Sequence, residues 1–242
     1  MTRSANLSIA FSEEQAMILD SAQAFCRDKS DGNAVRSLLK SETGFNQDVW
    51  DEMVALGWTG LTIPEQFGGF AMGIGATVPL VESMGRHMLC TPYISATIAA
   101  QAIVRGGSES QQSKWLPAMV QGTIGTLALL DNEDWGATST SCELTTKDDQ
   151  LELKGKKLLV HDALVSDFFL VLAKYEGTEV LVIVESSQLA DNAIDSKTLG
   201  DETKRAANVD FTGVTIQSDA ILPSGEAVLA DLRLIGALLI AS

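Results

Sequence analysis

Cysteine is scarce in this chain: Cys26, Cys90 and Cys142 are its three, and they stand far apart. No CxxC pair occurs, which removes a zinc ribbon or dithiol redox centre from consideration and leaves idle reduced thiols as the reading. Histidine is scarcer still. His87 and His161 show no HExxH or other ligand spacing, so no metal site is expected. Positive charge is in deficit, with 17 Lys and Arg against 32 Asp and Glu and a net charge of -15. Such a surface repels phosphate backbones, so nucleic acid is excluded as the expected partner. The acids read instead as a solvated face. No uncharged apolar run reaches the length needed to span a bilayer. The opening residues, Met1 to Leu7, lack the apolar core of a signal peptide, and the expected location is cytoplasmic. Repeats, low-complexity stretches and charge blocks are also missing.

What is present is ordinary globular composition, 45% hydrophobic and 20% charged over 242 residues, enough for one large domain or two smaller ones. The first half reads as helical. Ser12 and Gln15 have capping-box spacing, and Ile18, Ala22 and Phe25 follow on one face. Further helical segments are expected at Ala34 to Leu39, Val49 to Leu56, Gly75 to Leu89, Ser95 to Val104 and Ser110 to Val120, the last kinked or ended by Pro117. Between the third and fourth, Gly57 stops a helix and Pro64 with Gly68 and Gly69 forces a corner.

Near Gly122 the pattern changes. Thr126 to Leu130, Leu151 to Lys154, Phe168 to Ala173, Val180 to Val184, Ala207 to Phe211 and Val214 to Ile216 are strand-like runs joined by short turns. They imply an antiparallel barrel or sandwich. Glu226 to Ser242 is helical again, with Val228, Leu229, Leu232, Ile235, Leu239 and Ile240 on a broad apolar face. That face is expected to bury itself against a helical partner outside the chain. The fold class is therefore α+β: an all-helical domain at 1–123, an antiparallel β-barrel or sandwich domain at 124–225, and the start of a truncated helical part at 226–242.

The corner string Leu56 to Gly69 resembles the turn between early helices of the acyl-CoA dehydrogenase family. Phe11 to Gln15 resembles the family's opening, and Met84-Gly85-Arg86 with Thr91-Pro92-Tyr93 its next long helix and break. Ser113 to Gly122 resembles a "K-x-L-P-x-x-x-x-G" approach to the β domain, and Lys154-Gly155-Lys156-Lys157 an "N-G-x-K" hairpin. The resemblance implies a flavoprotein that removes hydrogens from the α and β carbons of an acyl-CoA thioester. A glutamate takes the proton, FAD accepts the hydride, and hydrogen bonds polarise the carbonyl.

The residues that should carry this chemistry depart from the family pattern. The "T-E-P-x-A-G-S-D" loop corresponds to Leu130 to Ala137, with its proline and serine gone; Gly136 and Ala137 hold the substrate-contact positions. "K-x-W-I-T-N" corresponds to Lys157 to Asp162, placing Leu159 where a tryptophan lies on the flavin and His161 where a threonine reaches N5. His161 is read equally as a flavin contact or as a surface loop histidine. The flavin-contact positions are thus Leu127, Leu129, Leu130, Leu159, Val160 and His161, acting largely through backbone groups. No catalytic residue is assigned: Leu232 aligns with an alternative glutamate position, and Asp231 points about 100° away on the helix. These departures resemble the small-subunit type, such as the pimeloyl-CoA dehydrogenase small subunit and its steroid-degrading relatives. The expected partners are an acyl-CoA and a catalytic acyl-CoA dehydrogenase subunit, in a homo- or hetero-oligomer. Two other readings stay open: a non-enzymatic scaffold built on the same fold, and an unrelated helical ligand-binding domain fused to a β-barrel.

Overall fold

Residues 12–132, 140–147 and 150–242 are described by the computed structural model. The first helix, α1 (Glu13–Lys29), starts on the expected box: the Gln15 amide donates to Ser12 Oγ at 3.2 Å and the Ser12 amide to Gln15 Oε1 at 3.0 Å. Asp31 caps α2 (Gly32–Leu39) and Asn46 caps α3 (Gln47–Ala55) with side-chain oxygens. Gly57 then takes a φ of 77°, the left-handed conformation that ends a helix without Cβ strain. In the corner that follows, the Gly60 carbonyl accepts from the amides of Ile63 (3.2 Å) and Phe70 (3.0 Å). A Cβ at Gly69 would lie 2.1 Å from the Ile63 carbonyl oxygen, so the backbones there meet with no room for a side chain. Trp58 is buried inside the corner and meets Phe25 of α1 edge-on at 5.0 Å.

Three helices complete this half: α4 (Val78–His87), α5 (Tyr93–Gly106) and α6 (Glu109–Val120). The expected helix from Gly75 is shorter than its pattern. Ile74–Thr77 is a 3-10 turn, and α4 begins beside Pro79, whose fixed φ suits a first helical turn. Pro117 lies late in α6, which continues to Val120.

The strands are β1 (Gly125–Ala128), β2 (Glu143–Lys147), β3 (Gln150–Lys154), β4 (Lys156–His161), β5 (Phe168–Tyr175), β6 (Thr178–Glu185), β7 (Ile194–Lys197), β8 (Ala206–Asp210) and β9 (Thr215–Ile216). One sheet runs β1-β5-β2-β3-β9, with β6 on the other edge of β5; a second sheet runs β4-β8-β7. The arrangement is a two-sheet sandwich, but not wholly antiparallel as expected. β1 joins β5 in parallel, from Gly125 opposite Phe168 to Ala128 opposite Val171, and β2 touches β5 in parallel at Glu143 and Lys174. Parallel neighbours need a long crossover, and between β1 and β5 the described residues form three strands, a connection that turn signals do not announce.

β5 is the centre of the molecule because both its faces are buried. Phe168, Leu170 and Leu172 enter a core shared with the helices, beside Trp115 and Leu116. Phe169, Val171 and Ala173 enter a second core between the sheets, beside Val160, Val209 and Phe211. The period-2 alternation of a strand thus feeds two cores.

The last helix, α7 (Gly225–Ala241), corrects an expectation. Its apolar face does not wait for an outside partner: Val228, Leu229, Leu232, Ile235 and Leu239 are buried in the helical core, packed on α5, α4 and β6. Ile240, expected on that face, is instead 78% exposed, and Leu234 at 71% and Leu238 at 41% also stay outside. Asp231, turned away from the Leu232 position, pairs with Arg105 of α5 at 3.0 Å.

Two cations tie parts together through carbonyls. Arg205 donates to the carbonyls of Leu38, Leu39 and Ser41 at 3.0 to 3.1 Å, satisfying the C-terminal end of α2 from the β domain. Lys157 is the other and belongs to the site below. The three cysteines are free and buried. Burial pushes Cys26 and Cys142 up to about 11, so they stay protonated and unreactive at neutral pH. Among the described residues no helix is long and apolar enough to cross a membrane.

Candidate functional site at the junction of the two halves

A cleft of about 480 Å³ opens where α5 and α7 meet β1 and β4. Its size falls within the ~300–1,000 Å³ of small-molecule sites. Each wall follows from local periodicity. From the β1 side come Leu127 and Leu129, alternate residues facing the helices, while Ala128 between them turns to the inter-sheet core. From α7 come Leu232, Arg233, Gly236, Ala237 and Ile240, one stripe of a helix at near four-residue spacing. Ser95 and Ile98, one turn apart on α5, form the back.

The β4 wall depends on a bulge. Its pairing with β8 shifts register between Lys157 and Val160, and Leu159 takes a φ of 49°. The bulge lets Leu158 and Leu159 both line the cleft, while Lys157 and Val160 are buried behind them. Two backbone donors of this wall are already engaged. The Leu158 amide donates to the Leu130 carbonyl at 2.7 Å and the Leu159 amide to Asn208 Oδ1 at 3.1 Å.

The polar groups sort into two kinds. Thr126 Oγ1 donates to the His161 carbonyl at 2.8 Å, and Ser95 Oγ donates to Asp162 Oδ2 at 2.6 Å. Burial raises the Asp162 carboxyl above the ordinary aspartate range, against the Ser95 hydroxyl and the positive charge of Lys204. His161 and Arg233 are among the residues that line the cleft, and neither side chain makes a hydrogen bond or ion pair among the described residues. No carboxylate lines the cleft among the described residues, and none of them form a three-ligand metal cluster.

Five of the six flavin-contact positions read from the sequence therefore come together: Leu127, Leu129, Leu130, Leu159 and His161. Val160 is beside them in sequence, but its side chain is in the inter-sheet core. Gly136 and Ala137 lie outside the described residues. Sequence reasoning missed Ser95, Ile98, Gly236 and Ala237. The small residues of α7 were the available signal, since they leave space on a helix otherwise built of Leu and Ile.

Fold and cleft together define an α+β protein with a cleft of small-molecule size between a helical bundle and a β sandwich. Residues 12–123 match the family model described as acyl-CoA dehydrogenase, N-terminal domain. Mitochondrial isovaleryl-CoA dehydrogenase of Bos taurus is 27% identical over 173 residues, covering 69% of this chain and 41% of that protein. Among solved structures, the Tcur3481-Tcur3483 steroid ACAD superposes with a TM-score of 0.80 at 26% identity, over 94% of this chain and 62% of the other. The ChsE4-ChsE5 complex from Mycobacterium tuberculosis superposes at 0.81 with 21% identity, over 93% and 61%. The N-terminal helical half is thus similar to the acyl-CoA dehydrogenase N-terminal domain, and the fold as a whole to that of the steroid ACAD structure. It spans less than two thirds of the length of these relatives. The reading as an unrelated helical domain fused to a β-barrel is set aside.

Proposed function

We propose that this chain is the non-catalytic partner in an acyl-CoA dehydrogenase-type assembly, supplying the β wall and part of the helical floor of a flavin and acyl-CoA cleft. The observation that carries this reading is the cleft itself. It sits at the junction where the resemblance puts the flavin, and Leu232 stands where a glutamate base would be aligned. Two of the similar solved structures, Tcur3481-Tcur3483 and ChsE4-ChsE5, pair differently named chains, which fits a subunit that works beside another.

The lining suits FAD in character. Leu127, Leu129, Leu130 and Leu159 give an apolar bed for a planar ring, His161 offers a ring N–H at its edge, and Val160 can contribute backbone only. When bound, FAD supplies the hydride acceptor. The chain's own residues position it, exclude water with the leucines, and hold positive charge at the lip with Arg233. With the Leu158 and Leu159 amides engaged elsewhere, polar recognition rests more on His161 and Arg233 than on the backbone of this wall. Gly136 and Ala137 remain the substrate-contact positions by resemblance.

A second reading has its own observation. Leu234, Leu238 and Ile240 leave part of α7 apolar and exposed, as a scaffold with a docking element would.

One experiment separates them. The chain is purified alone and co-purified with an acyl-CoA dehydrogenase encoded next to it, and the yellow flavin absorbance is read in each. Flavin seen only in the pair supports the subunit reading. A stable pair without flavin supports the scaffold, and acyl-CoA turnover by this chain alone overturns both.

A further inference from the structure

We propose that Lys157 is a positioning residue for the cleft: its ammonium, sealed inside the β half, holds the lip formed by Leu129, Leu130 and Asp131. The side chain of Lys157 is fully buried, and that of its partner Asp131 is 5% exposed. An ammonium has three donors, and all three are used. They reach Asp131 Oδ1 at 2.7 Å, Thr140 Oγ1 at 2.8 Å and the Leu129 carbonyl at 3.2 Å. The other carboxylate oxygen of Asp131 accepts from the Ser141 amide at 3.1 Å. One cation therefore ties 129–131 to 140–141.

The held segment is a wall of the cleft. Leu129 and Leu130 line it directly, and the Leu130 carbonyl accepts from Leu158 across the mouth at 2.7 Å. The bulge that turns Leu158 and Leu159 toward the cleft starts at Lys157 itself. Clamp and wall are thus consecutive residues of one strand, and fixing one fixes the other.

Stability alone does not explain a lysine here. A buried ion pair loses so much hydration that an apolar pair of similar volume often stabilises as well or better. The surrounding core is made of Val160, Val209, Leu153 and Phe169, which would accept such a pair. What an apolar pair cannot do is fix three oxygens at hydrogen-bond distance. Besides Asp131, the ionisable groups near Lys157 are Cys142 and Glu179. Glu179 takes the Thr140 amide at 3.0 Å and so reinforces the same lip.

The test separates positioning from folding. A double variant, K157M with D131L, replaces the ion pair by apolar side chains and is expected to keep the unfolding midpoint within the scatter of the parent. Hydrogen exchange of the Leu158 amide should nevertheless be at least 10-fold faster, while amides of the central β5–β6 hairpin stay unchanged. Unchanged exchange at Leu158 overturns the proposal. Should the double variant not fold, T140V removes a single acceptor and is expected to speed the same amide by about 3-fold; no change there overturns it equally. A second arm rests on the function proposed above: FAD is titrated into the chain paired with its catalytic neighbour, and the double variant should bind at least 10-fold more weakly. If the parent pair binds no FAD, the functional reading fails, and the exchange result still decides the clamp.

Discussion

In the helical core the buried polar side chains are neutral, and most find a backbone carbonyl, Thr91 Oγ1 being left without a partner among the described residues. Trp50 Nε1 donates to the Gly122 carbonyl at 2.9 Å, and Gln101 Nε2 to that of Thr62 at 3.3 Å. In the inter-sheet core the group that goes inside is an ammonium, matched to a carboxylate. A neutral group with one partner costs little to bury, whereas a charge requires every donor to be met. The expensive solution is found where the β half borders the cleft, and a second desolvated acid, Asp162, follows the same strand and is bonded by Ser95 of the cleft. The difference teaches that, among the described residues, ionisable carboxyl and amino groups deprived of water gather around the cleft while the rest of the interior is kept neutral.

The sharpest way to break this contrast is on β5, the strand common to both cores. Phe168 stacks tilted on Trp115 at 4.4 Å on the helical side, and Phe169 meets Phe211 edge-on at 5.5 Å between the sheets. F168A and F169A should each lower unfolding free energy by about 3–5 kcal/mol in urea titrations. A much smaller loss for F169A would show the inter-sheet core to be soft and the contrast false. Next in size is R205M, which strips the carbonyls at the end of α2 of their cation; a loss of about 1–2 kcal/mol is expected by the same titration. An unchanged midpoint would show that the helical and β halves do not depend on that tie.

Asp162→Asn sharpens the comparison through pH. The folded carboxyl is raised by burial, so the native state holds its proton more tightly than the unfolded chain. Its stabilising contribution is full below the ordinary aspartate range and is lost as pH rises from there through the folded value. The variant should flatten that decline in thermal midpoints and gain stability at neutral pH; a slope unchanged from the parent would deny the acid its desolvation. The smallest effect is expected at Asp231, whose pair with Arg105 is half exposed. D231N should cost about 0.2–1 kcal/mol and less in high salt.

Much of the fold was legible because its signals are local. The Ser12–Gln15 box, the stop at Gly57 and the apolar alternation of β5 each act within a few residues, and each stands where the pattern put it. The 3-10 start before α4 was not legible, since a run of small apolar residues suits either helix. The parallel seat of β1 on β5 was hidden because pairing between distant strands leaves no mark in either one. In the site, the β1 leucines and the Leu159 to His161 stretch were found by resemblance. Ser95, Ile98 and the α7 stripe were not, because no pattern within a helix tells which face will meet a distant strand.

By itself the sequence determined a helical half followed by a β half and the places where several elements start or stop, such as the Ser12 cap and the Gly57 stop. The tertiary structure alone decided that α7 folds back on α5 rather than awaiting another chain, that a bulge at Leu159 turns two neighbouring leucines into one cleft, and that Lys157 disappears behind them. The physical reason is range. Caps and periodicity are settled by hydrogen bonds and burial over a few residues, while a cleft is the space left between elements more than 100 residues apart, such as Leu127 and Leu232.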